Sequence, residues 1–264
     1  MLALILASLA AAQGQALRLE VPHEPGLEQI TVTWNGHERP LVRQGETWMA
    51  LLGVDLDTEA GAHEAELSLT YADGRSAQRT EPIAVSAAEF PTTELTVEPR
   101  YVELSPEDQQ RANRESGEIA QIYATVTPEA HWSEPFLVPI PGVSGGRNFG
   151  HRRIFNGQPR APHSGADLRA ATGTPILAAN RGRVVLAKEL FFSGNAVFVD
   201  HGLGVYTVYL HLSRIDVEPG QMVGRGQQVG LAGATGRVTG PHLHWGARIV
   251  DARVDPFSLL SVYE

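Results

Sequence analysis

The chain has 264 residues, of which 42% are hydrophobic and 19% are charged, and it contains no cysteine. This composition is typical of a globular protein, and it excludes both wholesale disorder and stabilisation by disulfides. Residues 1–140 carry 8 basic and 22 acidic side chains, whereas residues 141–264 carry 13 basic and 8 acidic side chains. The basic half has scattered arginines with few aromatic residues among them, which argues against a nucleic-acid-binding surface.

The chain begins with a run of apolar and small residues that extends to Ala12. Such a run is typical of a secretory signal peptide, and it is shorter than the roughly 20 apolar residues that a membrane-spanning helix needs. No Lys or Arg precedes it, so only the amino terminus supplies positive charge. We expect a signal peptide over residues 1–16 that ends at Ala12 or Ala16. The sequence therefore predicts an exported protein, periplasmic or extracellular, without a transmembrane anchor.

Short stretches of alternating apolar and polar residues follow, as in half-buried strands. Asn-Gly at 35–36 and Asp-Gly at 73–74 supply hairpin turns between them. This spacing predicts a small accessory β-sandwich over residues 17–88. Its predicted strands lie at 17–21, 29–34, 39–42, 47–52, 64–71 and 78–85.

A connecting arm over residues 89–140 contains one predicted helix. Ser105 is a good N-cap, Pro106 suits the first helical position, and two acidic residues follow at the positive end of the helix dipole. We expect the helix over about residues 106–123. The proline-rich run after it is either a spacer between domains or an arm that covers the groove of the second domain.

The remaining residues, 141–264, show strand and turn patterns without an amphipathic helix. Seven glycines between residues 220 and 240 predict tight turns in an antiparallel sheet, and not a parallel sheet wound with helices. The fold class expected for the chain is all-β: an N-terminal small β-sandwich, a connecting arm with a short helix, and a C-terminal compact antiparallel β-sheet domain. Strand candidates in that domain lie at 174–179, 182–187, 196–200 and 205–210.

Five residues of the C-terminal domain have metal-binding or acid–base chemistry. His242 and His244 are two residues apart, so a strand directs both imidazoles to one face. Alone, such a pair is equally well explained as two hydrogen-bonded structural histidines. His163 and Asp167 lie four residues apart, and His211 ends an alternating stretch. Together they offer nitrogen and oxygen ligands that suit zinc, which needs only three protein ligands in a catalytic site.

Three motifs in this order resemble the lysostaphin/LytM-type zinc metallopeptidases. They are His163-x-x-x-Asp167, the segment 209–213 around His211, and the segment 233–244, within a similarity that runs from about residue 149 to 256. The resemblance implies one Zn²⁺ per chain, bound by His163, Asp167 and His244. It implies that His211 and His242 are metal-free catalytic histidines. It also implies hydrolysis of peptide bonds in bacterial peptidoglycan, in stem-peptide cross-links or interpeptide bridges.

These roles agree with the chemistry of metal-assisted hydrolysis. Zinc lowers the pKa of bound water to about 7, and a neutral histidine with an unperturbed pKa of about 6.5 is suited to remove its proton. We interpret His242 as that base and His211 as the group that assists the oxyanion or the leaving amine, but spacing alone leaves the two roles interchangeable. Arg152, Arg153 and Arg160 either line the groove and meet substrate carboxylates or are solvated surface residues.

The first hypothesis is a secreted zinc metalloendopeptidase acting on peptidoglycan. A non-catalytic wall-binding or hydrolase-regulating protein of the same fold is the main alternative, although such a protein is expected to lack some of the five site residues. A latent enzyme is a third hypothesis, in which the acidic N-terminal region docks on the basic catalytic domain and blocks its groove. Ordinary solvated surfaces explain the charge asymmetry equally well.

Overall fold

A computed structural model describes residues 9–143, 146 and 148–263. Residues 1–8 of the predicted signal segment lie outside this range. The rest of that segment contributes β1 (Leu9–Ala12) and the first residue of β2 (Ala16–Pro22). No helix in the described ranges is long and apolar enough to cross a membrane. Strands dominate the described chain, which confirms the all-β prediction.

The N-terminal sandwich consists of two sheets. Its remaining strands are β3 (Leu27–Trp34), β4 (His37–Pro40), β5 (Val42–Gln44), β6 (Thr47–Gly53), β7 (Gly61–Tyr71) and β8 (Ser76–Ser86). One sheet has the order β1-β8-β7-β3-β4 and the other β2-β6-β5, and all their pairings except β1 with β8 are antiparallel. Alternate residues such as Ile30, Val32 and Leu67 are fully buried in the shared core.

The single strand predicted over residues 39–42 is divided in the structure. Strand β4 ends at Pro40, β5 begins at Val42, and the two strands belong to different sheets. Because Pro40 has no backbone N–H, it cannot continue the ladder as a donor. The buried Leu41 instead donates its N–H to the carbonyl of Ile30, 2.9 Å away, where the chain changes sheet.

The connecting arm packs on the C-terminal half. Strand β9 (Thr92–Leu95) pairs in parallel with β10 (Arg152–Phe155), which also pairs with β11 (Gln158–Arg160). A 3₁₀ turn over Pro99–Tyr101 leads into α1 (Pro106–Tyr123), whose bounds match the prediction. The predicted cap forms, because the Ser105 hydroxyl accepts a hydrogen bond from the N–H of Asp108.

The C-terminal half is built on a seven-stranded antiparallel sheet. Its order is β12-β20-β16-β15-β14-β18, with β21 also paired to β20. These strands are β12 (Gly165–Arg169), β14 (Gly182–Leu190), β15 (Gly194–Asp200), β16 (Val205–Leu212), β18 (Met222–Val223), β20 (His242–Ile249) and β21 (Ala252–Val254). A smaller sheet and a short helix complete it: β13 (Pro175–Leu177), β17 (Arg214–Ile215), β19 (Gln228–Leu231) and α2 (Ser258–Ser261).

The two faces of the large sheet differ in what covers them. Leu243 and Trp245 lie on the face that packs into the main hydrophobic core. The opposite face carries Phe198 and Val208, which pack in one cluster with Ile119 of α1 and its neighbours. Because side chains alternate along β20, His242 and His244 lie on the face that α1 partly covers.

Strand β6 belongs to both halves of the molecule. Ala50 and Leu52 are buried in the sandwich core, whereas Met49 and Leu51 are buried in the core of the C-terminal half. The next residue on the same face of β6 as Met49 and Leu51 is Gly53. A Cβ atom there would lie 2.6 Å from the Cβ of Ala252. The strand is therefore buried on both faces, and the acidic sandwich is in direct contact with the basic half.

An ion pair reinforces this contact. The guanidinium of Arg253 on β21 donates to Asp55 Oδ1 at 2.6 Å and to Asp57 Oδ2 at 2.7 Å. Burial alone would raise the pKa of Asp55, but hydrogen bonds from Arg253 outweigh it and lower the pKa. The N-terminal sandwich and the C-terminal half are thus joined by both packed and charged contacts.

A buried hydrogen-bond chain runs beneath the large sheet. The N–H of Ala179 donates to Tyr209 Oη at 2.7 Å, and Tyr209 Oη lies 2.8 Å from Thr207 Oγ1. Thr207 Oγ1 lies 2.8 Å from His201 Nε2, and His201 Nδ1 lies 2.8 Å from the carbonyl oxygen of Arg181. Each group donates once if His201 is neutral with its hydrogen on Nδ1. Burial lowers the pKa of His201 to about 4, in agreement with this neutral form.

We expect Gly53→Ala to lower the free energy of unfolding by about 1–3 kcal/mol, because the added methyl group has no space at the interface between the halves. The matched control is Gly117→Ala in α1, where a Cβ meets nothing within 4 Å. That change should raise the stability by about 0.5–1 kcal/mol, since alanine is the better helix former. Urea denaturation measures both, and an equal response of the two variants would contradict the interface.

We expect His201 to contribute to acid destabilisation. Its unfolded pKa is about 6.5, so between about pH 6.5 and 4 the unfolded chain binds a proton that the folded chain does not. The free energy of unfolding therefore falls as the pH is lowered through this window. His201→Gln should reduce that slope by up to about 1.4 kcal/mol per pH unit. Urea denaturation at pH 7, 6 and 5 tests this, and parallel slopes for variant and wild type would rule it out.

Candidate metal centre

The pairing of β12 with β20 assembles the first part of the site. Asp167 and His244 are direct cross-strand partners, so their side chains project from the same face. His163 lies two residues before β12 and reaches the same point. Between them, Gly165 leaves room for the ring of His244, because a Cβ there would lie 2.6 Å from His244 Nε2 and 2.5 Å from the carbonyl oxygen of Trp245. The sequence thus needs glycine at this position to bring the three side chains together.

Three potential ligand atoms meet at this point. Asp167 Oδ1 lies 3.0 Å from His163 Nε2 and 2.9 Å from His244 Nδ1, and the two nitrogens are 2.9 Å apart. The side chains of His163 and His244 are 1% and 7% exposed, whereas that of Asp167 is 27% exposed. The cluster is therefore reached from solvent on the side of the carboxylate.

The donor set fits a resident metal ion. His163 Nδ1 lies 2.8 Å from the carbonyl oxygen of Asn148, so Nδ1 carries the hydrogen and Nε2 presents a lone pair to Asp167. A lone pair and a carboxylate oxygen at this separation repel each other unless a proton or a metal ion lies between them. Two imidazole nitrogens and one carboxylate oxygen are ligands that a divalent transition metal accepts while it keeps an open position.

Asn148 holds the carboxylate on its other side. Its Nδ2 donates to Asp167 Oδ2 at 2.9 Å, and its Oδ1 accepts from the N–H of Asp167 at 3.0 Å. Arg153 Nη2 lies 3.8 Å from the same Oδ2. Burial would raise the pKa of Asp167, but its close contacts with the imidazoles of His163 and His244 outweigh burial and hold the pKa well below the ordinary value. Asp167 is therefore an ionised ligand candidate.

His211 and His242 form a second pair beside this cluster. Their ring centroids are 4.9 Å apart, and the ring of His211 is 6.0 Å from that of His244. His242 Nε2 lies 3.6 Å from Asp167 Oδ1, farther than either nitrogen of the first cluster. The structure thus brings all five predicted residues together and separates them into a group of three and a group of two.

The two histidines of the second pair have the same tautomer. His211 Nδ1 lies 2.9 Å from the carbonyl oxygen of Thr235, and His242 Nδ1 lies 2.8 Å from that of Gly240. Each Nδ1 therefore donates, and each Nε2 is left as a proton acceptor. Burial, followed by repulsion from His244 and His242, lowers the pKa of His211 to about 3. Both rings consequently present an unprotonated Nε2.

His211 reaches this position through an unusual backbone conformation. Strand alternation would direct it to the core face with Tyr209, but its φ angle is 65°. Its N–H donates to the carbonyl of Ser193 at 2.9 Å and does not extend the pairing with β20. A left-handed conformation in a residue other than glycine costs about 1–3 kcal/mol. This local strain turns the imidazole to the face of His242 and His244.

Two neighbours of the site were not predicted from the sequence. Asn148 contacts two of the candidate ligands, and Arg237 lies in an adjacent cavity with Arg153 and Arg160. Arg237 belongs to the segment 233–244 that carries the resemblance, but nothing in its spacing assigns it a role. Asn148 lies just outside the similarity seen from about residue 149. Arg152, by contrast, is exposed and does not line that cavity.

Comparison with known proteins agrees with this geometry. The family described as Peptidase family M23 matches residues 161–256. Peptidoglycan DD-endopeptidase ShyA of Vibrio cholerae is 48% identical over 99 residues, which are 37% of this chain and 23% of that protein. DD-carboxypeptidase/endopeptidase Mpg of Neisseria meningitidis is 42% identical over 97 residues, which are 37% of this chain and 22% of that protein. The matched region thus spans less than a quarter of either relative.

One solved structure is similar to this chain over nearly its full length. It is a Pseudomonas aeruginosa protein assigned to peptidase M23, with 33% sequence identity, a TM-score of 0.73, and 95% of each chain covered. The similarity therefore includes the N-terminal sandwich and the connecting arm as well as the matched domain. On the full-length similarity and the matched domain together, the chain belongs to peptidase family M23.

Proposed function

We propose that this protein is an exported zinc metalloendopeptidase that hydrolyses peptide bonds in peptidoglycan cross-links. The observation that carries the proposal is the convergence of His163, Asp167 and His244 on one point, with two proton-accepting histidines beside it. The names of the Vibrio and Neisseria relatives support peptidoglycan peptides as the substrate. Such a substrate lies outside the cytoplasm, which agrees with the expected export.

His163, Asp167 and His244 would hold the metal. We propose zinc because it favours imidazole nitrogen and carboxylate oxygen and uses three protein ligands in catalytic sites. When bound, zinc supplies Lewis-acid polarisation of the scissile carbonyl and lowers the pKa of a water molecule to about 7. Asn148 contacts both His163 and Asp167, so it fixes the orientation of two ligands at once.

His242 is the proposed general base. Its side chain is 18% exposed, and its Nε2 faces the carboxylate of Asp167 at 3.6 Å, next to the space where substrate and water would meet. Its hydrogen bond to Gly240 holds the proton on Nδ1, so Nε2 accepts the proton of the attacking water. The resulting imidazolium then donates that proton to the leaving amine.

His211 has a different proposed role because it is more deeply buried. Its neutral ring has a free Nε2, and burial opposes proton uptake at rest. Negative charge that develops on the reacting carbonyl favours the protonated ring, since an opposite charge nearby raises the pKa of a histidine. With a proton taken up from solvent on Nε2, His211 would donate a hydrogen bond to that charge and would release the proton to solvent when the carbonyl forms again.

We expect the two members of the His-x-His pair to respond differently to substitution. His244→Ala should lower the metal content and abolish turnover, because one of three ligands is lost. His242→Ala should keep zinc bound and lower kcat by about 10²–10⁴, the usual contribution of a general base. The measurements are zinc per chain by elemental analysis and cleavage of defined muropeptides with added zinc. His63→Ala in the sandwich is the matched control and should change neither.

Two results would contradict these assignments. Equal metal loss from the His242 and His244 variants would remove the distinction between ligand and base. If folded, zinc-loaded protein forms no zinc-dependent product, the result would favour the non-catalytic alternative. In that alternative the same fold binds the wall or regulates another hydrolase.

A further inference from the structure

The cavity that contains Arg237 opens next to the candidate metal centre. Its volume is about 470 Å³, and Ser164, which follows the ligand candidate His163, forms part of its wall. Arg153 also lines it and lies 3.8 Å from Asp167 Oδ2. A group bound in this cavity is therefore adjacent to the site at which a scissile bond would react. We refer to it as the arginine cavity, after Arg153, Arg160 and Arg237.

The three guanidinium groups are delivered by separate parts of the fold. Arg153 and Arg160 are cross-strand partners on β10 and β11, so they lie side by side. Arg237 comes from the glycine-rich segment before β20, and its N–H donates to the carbonyl of Phe192 at 2.8 Å. Its guanidinium carbon lies 4.4 Å from the ring centroid of Phe192 and 4.8 Å from that of Phe155. Stacking on ring faces leaves the N–H edge of a guanidinium available for a ligand.

The positive charge of this cavity is poorly compensated. Within the described part of the chain, Arg153 is the only one of the three that forms an ion pair, and its partner is Asp167. Arg160 Nη2 donates to uncharged acceptors on Val102 and Gln158, and its buried Nε has no hydrogen-bond partner. Clustering of cations in a half-buried space is unfavourable, and a bound anion would relieve it.

The pKa of Arg237 agrees with a poorly compensated positive charge in this cavity. Burial, followed by repulsion from Arg153 and Arg160, lowers its pKa to about 10. It remains charged at neutral pH, but the neighbouring cations oppose that charge. An anion bound by all three guanidinium groups would offset this repulsion and raise the pKa of Arg237.

The other walls restrict the shape of the ligand. They include apolar parts of Tyr101, Val102, Leu104 and Phe192. An anion on a short aliphatic stem fits this combination better than a fully hydrated ion does. Guanidinium groups also match the planar geometry of a carboxylate through paired N–H donors.

We propose that Arg153, Arg160 and Arg237 form a specificity subsite that binds a free carboxylate of the substrate peptide beside the scissile bond. This inference rests on the proposed function and adds to it a preference among peptides. A peptide whose carboxylate is replaced by a neutral amide keeps its shape but loses the charge-assisted hydrogen bonds. The subsite therefore favours acidic cross-linked peptides over their amidated counterparts.

The test compares defined muropeptide dimers with free stem-peptide carboxylates and the same dimers amidated at one carboxylate at a time. Wild-type protein should prefer the free form at one position by roughly tenfold to a hundredfold in kcat/KM, the usual effect of a hydrogen bond to a charged group. Arg237→Gln and Arg160→Gln should remove most of this preference by raising KM for the dimer with the free carboxylate. Their zinc content should be unchanged. Arg183→Gln is the matched control, since this exposed arginine donates to the carbonyl of Gly220, does not line the arginine cavity and should keep the preference.

Several outcomes would overturn the subsite. Wild-type protein that cleaves free and amidated dimers equally would have no such preference. A loss of the same size on both substrates in the Arg237 and Arg160 variants would show that their stacking is only structural. Equilibrium binding of the same dimers to full-length His242→Ala protein separates this inference from the proposed function. A free-over-amidated preference in binding, lost on Arg237→Gln, supports the subsite even without cleavage, and its absence refutes it.

Discussion

The pairing register between β12 and β20 is the constraint on which the site depends. It sets Asp167 opposite His244 and buries Leu243 and Trp245 on the other face. A slip of one residue would exchange the faces, so both histidines would enter the core and Trp245 would enter the groove. Burial of a large aromatic side chain is worth several kcal/mol, which makes that slip unfavourable. The energy that folds the sheet thus also holds the candidate ligands in position, and Gly165 keeps the space in which they meet.

The histidines of the candidate site reach it through two different backbone arrangements. Regular strand alternation is enough to explain why His242 and His244 share a face. His211 needs a left-handed residue at the end of β16, and it is held there by hydrogen bonds from its backbone N–H to Ser193 and from its ring to Thr235. A strained residue at this position, far from any chain terminus, agrees with the general tendency of strain to occur at functional sites.

Local signals in the sequence were sufficient for much of this description. The cap at Ser105 predicted the bounds of α1, alternation predicted most strands of the sandwich, and separated motifs predicted the five residues that converge. Features that depend on contacts between distant segments of the chain could not be predicted from local sequence signals. The parallel pairing of β9 with β10 joins residues that are 60 positions apart, such as Thr92 and Arg152. Arg237 joins the arginine cavity only because β20 brings its preceding loop there. The sheet change at Leu41 depends on which strand supplies its acceptor. The left-handed φ of His211 has no clear sequence signal, because only a few per cent of residues other than glycine adopt it.

Strand β6 restricts the relative motion of the two halves of the protein. Since alternate residues of one strand complete two different cores, the sandwich is not a separate module joined to the large sheet by a flexible linker. Any hinge at this boundary would expose Met49 and Leu51 to water and break the pairing of Arg253 with Asp55. A substrate of the proposed function would therefore meet the two halves as one packed body, without a hinge between them.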